Sequence, residues 1–319
     1  MYMFKYYDRV LHLPDDKIID IIDKLQQIKE QGFTSILTSV LQPSKEEWNT
    51  NWHMRYQVNS IYGKDIGNLM GSKDDLILLC NKAHEIGLSV YVDVVFTHFG
   101  NKGGNGLDEL TPHDSVDEVL RKNPYYWKNK NRINYNDRYS ITHDCNNLAS
   151  LRLDNFDLQD IIIDLVNTYI ELGVDGIRID SCKLISCPNE YFNGENKNMF
   201  FERFKEGLKK DIVLFGEVIN ENKGIIEMYQ NDADIDVLSN ISYDLYNVDK
   251  NKVYAFYESH DTFLNEGGMG YTKRLTTDEV IKNYGYACKD FPKTVFYNRT
   301  KTDMWKREDV KLINNKYKI

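Results

Sequence analysis

The 319-residue sequence lacks the features of membrane-spanning, secreted and linker-rich proteins. No apolar run approaches the length needed to cross a bilayer. The first nine residues do not show a basic segment followed by an apolar core, so no signal peptide is predicted. The six prolines and 19 glycines are scattered and form no low-complexity linker. We therefore expect a folded globular chain with no membrane partner.

The number and spacing of the cysteines and the absence of basic clusters exclude further classes of protein. The five cysteines are odd in number and none forms a C-x-x-C pair, so neither a disulfide framework nor a zinc site is predicted. A reducing, cytoplasmic location fits this best, with a secreted protein whose signal is missing from the sequence as the less favoured alternative. The net charge is −9 and no basic run occurs, which argues against a nucleic-acid partner.

The segment 173–180 carries the most informative pattern in the chain. It reads as a short apolar strand that ends in Arg178 and Asp180. Side chains two residues apart on a strand project to the same face. The guanidinium should therefore favour the ionised form of the neighbouring carboxylate, which suits a nucleophile. Taken alone, the pair is equally compatible with an ordinary ion pair at a strand end.

Three more apolar segments end in polar residues: 89–98 with Asp93 and His98, 211–217 with Glu217, and 253–261 with His260 and Asp261. Continuous apolar runs are typical of parallel strands buried on both faces. In a (β/α)8 barrel, which needs roughly 250 residues, catalytic side chains lie at the C-terminal strand ends. Strand and helix patterns alternate along the chain, so the sequence predicts an α/β fold, a (β/α)8 TIM barrel.

These segments, in this order, resemble the four signature regions of the α-amylase family of glycoside hydrolases, family 13. The matching patterns are D-x-x-x-x-H at 93–98, G-x-R-x-D-x-x-K at 176–183, G-E at 216–217 and H-D at 260–261. The segment 52–57 is similar to a fifth family region, a loop near the sugar-binding cleft. The resemblance extends from about Ile18 to Lys311.

The resemblance implies a catalytic role for three carboxyl groups. Asp180 would be the nucleophile, Glu217 the acid/base, and Asp261 the carboxylate that stabilises the oxocarbenium-like transition state. Burial at the end of an apolar strand should raise the pKa of Glu217, as an acid catalyst needs. The residues implied in substrate binding are Tyr56, Gln57, His98, Arg178, Lys183 and His260.

The implied activity is retaining hydrolysis of α-1,4-glucosidic bonds in starch, glycogen or maltooligosaccharides. Two alternatives remain open. One is an α-glucan transglycosylase of the same family, which would use the same three carboxylates. The other is a truncated, non-catalytic relative.

The alternation of strand and helix stops between His98 and about Leu153. A long irregular stretch in a compact domain is usually functional or a small subdomain. The family resemblance implies a small inserted domain after strand 3, so we assign 1–98 and 154–319 to the barrel and 99–153 to the insertion. The aromatic run 125–127 could stack on sugar rings, but a role in the insertion's own core is favoured.

The calcium site of the family is expected to be weak in this chain. Many members hold Ca²⁺ between barrel and insertion with an Asn before the first signature His and an Asp at the end of the insertion. Those positions are Thr97 and Leu153 here, so two oxygen ligands are missing and no Ca²⁺ cofactor is predicted. Leu184 stands where animal-like amylases have a His, which leaves the acceptor-side preference open.

The C-terminal part is expected to be shorter than in related amylases, which continue through an eighth helix and a β-sandwich. The remaining sequence has room for a partial helix around 307–315 and for no sandwich. We therefore expect a C-terminally truncated barrel with apolar surface exposed beside the strand 294–297. The isolated chain should be marginally stable or self-associate through this edge.

Overall fold

The computed structural model describes residues 6–44, 52–102, 110–192, 194, 197–219, 221–241, 245, 247–261, 275–299 and 302–318. The strands, in chain order, are β1 (Asp8–His12), β2 (Ser35–Thr38), β3 (Ser89–Val94), β4 (His98–Phe99), β5 (Asn129–Arg132), β6 (Asp144–Cys145), β7 (Ala149–Ser150), β8 (Gly176–Ile179), β9 (Val213–Glu217), β10 (Asp236–Asn240), β11 (Val253–Phe256) and β12 (Lys293–Tyr297). The α-helices are α1 (Ile18–Ile22), α2 (Leu25–Glu30), α3 (Trp52–Arg55), α4 (Lys73–Glu85), α5 (Glu118–Lys122), α6 (Arg138–His143), α7 (Phe156–Glu171), α8 (Phe200–Gly207), α9 (Lys223–Asn231), α10 (Thr277–Asp290) and α11 (Glu308–Lys316).

Eight of the strands form a closed parallel barrel in the order β1-β12-β11-β10-β9-β8-β3-β2. This confirms the predicted (β/α)8 barrel. The strands read as apolar runs because they are covered on both faces. One buried cluster, which includes Val10, Tyr91 and Phe215, fills the interior, and a second packs the outer strand faces against the helices. Among the described residues, no helix is long and apolar enough to cross a membrane.

The sequence predicts a helix after the capping-box pattern 72–75, one helix from about Ile18 to Gly32, an amphipathic helix before the strand of Asp180, and a helix near 277–288. Most of these are confirmed. Helix α4 begins at the predicted capping box, in which the Ser72 side chain accepts from the Asp75 amide and the Asp75 carboxylate accepts from the Ser72 amide. Gly87, at a φ of +73°, follows its end. The single helix expected from Ile18 to Gly32 is instead two short helices, α1 and α2, which keep their apolar residues buried on one side.

Short elements occupy the stretch between β3 and α7. Strands β4 and β7 pair antiparallel, β5 and β6 pair parallel, and an isolated bridge joins Trp127 to Leu151. Helices α5 and α6 lie between these strands in the chain. The irregular sequence thus forms its own small sheets on the side of the barrel where β3 ends. Its division from the barrel as a separate domain stays a prediction.

The exposed edge expected at the last strand is wrong for this structure. β12 pairs with both β1 and β11, and all five of its residues are buried. Helix α11 lies close to the predicted position. Val310 and Asn314 are fully buried on it, whereas Leu312 is 61% exposed. Closure of the barrel removes the structural basis for self-association at this edge among the described residues, and self-association itself stays a prediction.

Candidate active site

A cleft of about 580 Å³ opens where the barrel strands end. The three predicted catalytic residues, Asp180, Glu217 and Asp261, all line it. The predicted sugar-binding residues that also line it are Tyr56, His98, Lys183 and His260. Residues from β8, β9 and β11, or just beyond them, therefore converge at one end of the barrel, as the strand-end pattern predicts.

Arg178 lies beneath the cleft and contacts three carboxylates. Its Nη1 donates to both carboxylate oxygens of Asp93, at 2.7 and 2.8 Å, and to Oδ1 of Asp180 at 3.0 Å. Its Nη2 lies 2.7 Å from Oε1 of Glu217. The guanidinium is fully buried, so these contacts compensate a charge that would otherwise be costly. One rigid cation thus fixes the positions of the predicted nucleophile and acid/base.

Glu217 reaches this position because the chain before it is free of side-chain bulk. A Cβ on Gly216 would lie 2.4 Å from the Cys182 sulfur, so only glycine fits there. Ser181, at a φ of +48°, turns its backbone N–H toward the second oxygen of Glu217, 2.9 Å away. Close packing of β9 against the turn after β8 explains the glycine before the acid.

Burial sets the acidity of two of the three cleft carboxyl groups. It raises the pKa of Glu217 more than the Arg178 charge lowers it, in the predicted direction. Burial also raises the pKa of Asp261 well above its ordinary value, and the Glu217 charge adds to this effect. A raised pKa favours the protonated form, which a general acid needs.

The histidines and the tyrosine form one wall beside these carboxyl groups. The Tyr56 hydroxyl donates to Asp93 at 2.6 Å, and its ring stacks on His260 at a centroid distance of 5.1 Å. Nε2 of His98 lies 3.9 Å from Asp180, and Nε2 of His260 lies 3.7 Å from Asp261. Burial lowers the pKa of both histidines, so the neutral ring is the favoured form.

The part of the cleft around Lys183 contains residues that the sequence did not single out. Nζ of Lys183 donates to the Ile219 carbonyl at 3.0 Å, lies 3.5 Å from Glu221 and sits 5.2 Å above the Tyr135 ring. Tyr135 and Glu221 both line the cleft. Tyr135 lies in the irregular insertion, where no periodicity could have distinguished it from the other tyrosines.

The aromatic run 125–127 lies outside the cleft. Tyr126 is buried, and the Trp127 ring packs edge-on against Phe99 while its Nε1 donates to Leu120. Both belong to the core of the insertion, as favoured from the sequence. Tyr125 is 72% exposed and does not line the cleft.

Gln57 does not lie where the sequence predicts, and His12 lies near the cleft although no role was assigned to it from the sequence. Gln57 does not line the cleft, and its amide nitrogen faces the Met54 sulfur at 3.5 Å. A role for Gln57 in sugar binding therefore has no support from its position. His12, unassigned from the sequence, is fully buried under the cleft, with its ring edge-on to His260 and Tyr297.

The residues at the family's calcium position do not fit a Ca²⁺ ion. The Thr97 hydroxyl is engaged with Nδ1 of His98 at 2.9 Å, and Leu153 is a buried apolar side chain. Among the described residues there is no group of three or more His, Cys, Asp or Glu side chains that could hold a metal. Independence from Ca²⁺ remains a prediction.

Comparison with known proteins gives the family. The family description "Alpha amylase, catalytic domain" matches residues 17–266. The chain therefore belongs to the α-amylase family of glycoside hydrolases.

Curated relatives are distant in sequence. An α-amylase of Butyrivibrio fibrisolvens is 23% identical, over 88% of this chain and 33% of the relative. An α-amylase of Clostridium acetobutylicum is 27% identical, over 67% of this chain and 28% of the relative. The chain thus spans about a third of the length of these relatives.

Solved structures show the same fold. The α-amylase of Geobacillus thermoleovorans, complexed with acarbose, aligns over 99% of this chain and 79% of its own, with a TM-score of 0.73 at 17% identity. α-Amylase I of Eisenia fetida aligns over 95% of this chain and 70% of its own, with a TM-score of 0.74 at 18% identity. At such identities the likeness concerns the fold.

Proposed function

We propose that this chain hydrolyses α-1,4-glucosidic bonds in starch, glycogen or maltooligosaccharides, with retention at the anomeric carbon. The observation that carries the proposal is the double contact of Arg178 with Asp180 and Glu217 at the floor of one cleft. Retaining hydrolysis needs two carboxyl groups about 5–5.5 Å apart on either side of the scissile bond. A single guanidinium that binds both holds them at short range.

The first step in this mechanism is attack by an Asp180 oxygen on the anomeric carbon. As that bond forms, the bond to the glycosidic oxygen breaks, and the leaving oxygen takes the proton of Glu217. The product is a glycosyl ester on Asp180. Burial favours the protonated Glu217 that this step requires.

The second step uses the same two groups in reverse. Glu217, now ionised, takes a proton from water as the water oxygen attacks the anomeric carbon, and Asp180 leaves as a carboxylate. Asp261, His98 and His260 lie beside these atoms and are suited to bind sugar hydroxyls. Tyr56 offers a ring for stacking in the same wall.

The transglycosylase alternative differs in what attacks the ester. A second sugar hydroxyl would replace water, and the three carboxyl groups would keep their roles. Lys183, Glu221 and Tyr135 line the cleft, and we propose that the acceptor would enter beside them.

The test is product analysis on maltooligosaccharides with the wild type and three variants. We expect shorter products with new reducing ends. Asp180→Asn should lose several orders of magnitude in rate, because an amide cannot form the ester. Glu217→Gln should still release fluoride from glucosyl fluorides in the first step, because that leaving group needs no proton. Asp164→Asn, an exposed change on α7, is the matched control.

Two results would overturn the proposal. Near-wild-type turnover by Asp180→Asn would show that Asp180 is not the nucleophile. Products mainly longer than the substrate would favour transglycosylation.

A further inference from the structure

Lys128 is a buried lysine in the insertion, which is an unusual place for a charged group. Its exposure is 7%, and its neighbours on either side are a half-buried tryptophan and an exposed asparagine. A buried lysine needs compensating partners. The proposed chemistry of the cleft does not explain why this lysine is buried.

The backbone of Lys128 lies at the junction of insertion and barrel. The N–H of Lys128 donates to the Ser150 carbonyl at 2.9 Å. Leu151, which follows Ser150 in the chain, donates its N–H to the Thr97 carbonyl at 2.9 Å. Lys128 thus lies where the insertion meets the segment after β3.

The side chain of Lys128 crosses this junction. Nζ donates to the Leu184 carbonyl at 2.8 Å in a fully buried hydrogen bond. Leu184 follows β8 and lines the active-site cleft beside Lys183. The bond therefore ties the insertion to the loop that carries three cleft-lining residues, Ser181, Lys183 and Leu184.

Among the described residues, no group of His, Cys, Asp or Glu side chains at this junction could hold a divalent cation. Leu153 lines one cavity together with Lys128 and Leu184, and supplies no ligand oxygen from its side chain. Thr97 is engaged with His98. Ca²⁺ requires six to eight oxygens. Burial lowers the pKa of Lys128 to about 7, and the protonated amino group would repel the ion.

We propose that the side-chain amino group of Lys128 takes the place of a bound Ca²⁺, joining the insertion to the loop 181–185 through the Leu184 carbonyl. An amino group donates to a carbonyl whether protonated or neutral, so this link persists across pH. Lys128 is therefore a positioning residue for Lys183 and Leu184. The proposal concerns the structure of the junction and does not depend on which glucan the cleft accepts.

The first test uses the unmodified 319-residue chain and Ca²⁺ as the probe. The melting temperature should be the same with chelator and with added CaCl₂, and titration calorimetry should show no saturable binding. Stabilisation by several degrees in CaCl₂, or saturable binding, would overturn the proposal.

The second test compares Lys128→Met with Lys130→Met, a change at an exposed lysine two residues away. Lys128→Met should melt several degrees lower, with no recovery in CaCl₂, and should exchange backbone amides faster in peptides covering 181–186. Lys130→Met should match the wild type in both measurements. Lys128→Gln enters the same comparison should the methionine variant not fold. Unchanged exchange at 181–186 in the Lys128 variant would contradict the proposal.

Discussion

Arg178 is the residue on which the arrangement of the cleft depends most. Its guanidinium contacts Asp93, Asp180 and Glu217, and all four groups are buried. Removing one member of a buried charge group leaves the others uncompensated. Asp93, held further by the Tyr56 hydroxyl, therefore acts on the chemistry through Arg178, as a positioning residue.

Asp261 should reduce stability at neutral pH. Burial, with the Glu217 charge, raises its pKa in the folded chain well above 3.8. A raised pKa gives stability below the unfolded pKa that is lost as pH rises through the folded value. Asp261→Asn should therefore be more stable than the wild type at pH 7, by about 1–3 kcal/mol. Denaturant titration measures this.

The same comparison near about pH 4 gives the control, because the gain should then have largely disappeared. Asp164→Asn should show no gain at either pH. An Asp261→Asn variant no more stable than the wild type at neutral pH would contradict this prediction.

Lys183 should influence the proton on Glu217. Burial raises the pKa of Glu217, while the charges of Arg178 and Lys183 lower it. Lys183→Met removes one lowering charge, so the pKa of Glu217 should rise and the protonated acid should persist to higher pH. The alkaline limb of kcat/KM against pH should move upward by a few tenths of a pH unit. A limb that stays in place or moves downward would contradict the assignment, and Lys130→Met serves as control.

The candidate catalytic residues could be predicted from the sequence because each belongs to a short motif at the end of an apolar run. Asp180, Glu217 and Asp261 line the cleft as expected. Tyr135 and His12 were not predictable. The first lies in an irregular segment, and the second is a buried ring whose neighbours come from distant strands. Contacts of that kind depend on how the barrel closes.

Among the secondary-structure elements, the barrel strands carry different kinds of polar residue at their two ends. The carboxyl ends carry the cleft. At the amino ends of β10 and β12, Asp236 and Lys293 form a 2.7 Å ion pair with both side chains fully buried. Asp8 on β1 accepts hydrogen bonds from Tyr91 and Tyr254 at the same end. These groups lie inside the barrel and contribute to its stability.

Lys293→Met should destabilise the fold by about 3–5 kcal/mol, because it leaves the Asp236 carboxylate buried without its cation. The double variant with Asp236→Leu should recover most of that loss. Urea unfolding of wild type, single and double variants measures the difference. Equal losses in the single and double variants would show that the pair is not coupled.

Elements with strong apolar patterns were predictable, and others were not. The strands that carry Asp93, Arg178 and Glu217, and helices α4, α7 and α10, lie where the patterns place them. The segment 89–98 was expected as one strand, but β3 ends at Val94 and His98 lies on the separate strand β4. The break between α1 and α2 contains neither Gly nor Pro, so the sequence has no local signal for it. Strand β10 is short and begins with a charged residue, Asp236, so its sequence does not read as a buried strand. The burial of Asp236 is explained only by its ion pair with Lys293, which the structure shows.

At the scale of the whole molecule, closure of the barrel by β1 and β12 is supported by the helix α11. Asn314 is fully buried on this helix. Its side chain accepts from the Tyr284 hydroxyl at 2.6 Å and donates to the Gln31 carbonyl at 2.9 Å. Arg9 on β1 also donates to the Tyr317 carbonyl at 3.1 Å. Polar contacts therefore anchor a helix whose apolar stripe is narrow, which its sequence alone did not reveal.

Asn314→Leu should lower stability by about 1–3 kcal/mol for each buried partner left without a hydrogen bond. Asn315→Leu, at the exposed neighbouring position, should cost much less. Thermal unfolding measures both. Equal effects of the two substitutions would show that α11 does not anchor the closed barrel.

The most direct test of the account is to trap the glycosyl ester. Glu217→Gln, incubated with α-maltosyl fluoride, should form the ester rapidly and hydrolyse it slowly, because fluoride leaves without a proton whereas water needs a base. Peptide mass spectrometry should then find one added maltosyl group on Asp180. Release of fluoride by this variant with the group on another residue, or with no covalent adduct, would contradict the central claim that Asp180 is the nucleophile and Glu217 the acid/base.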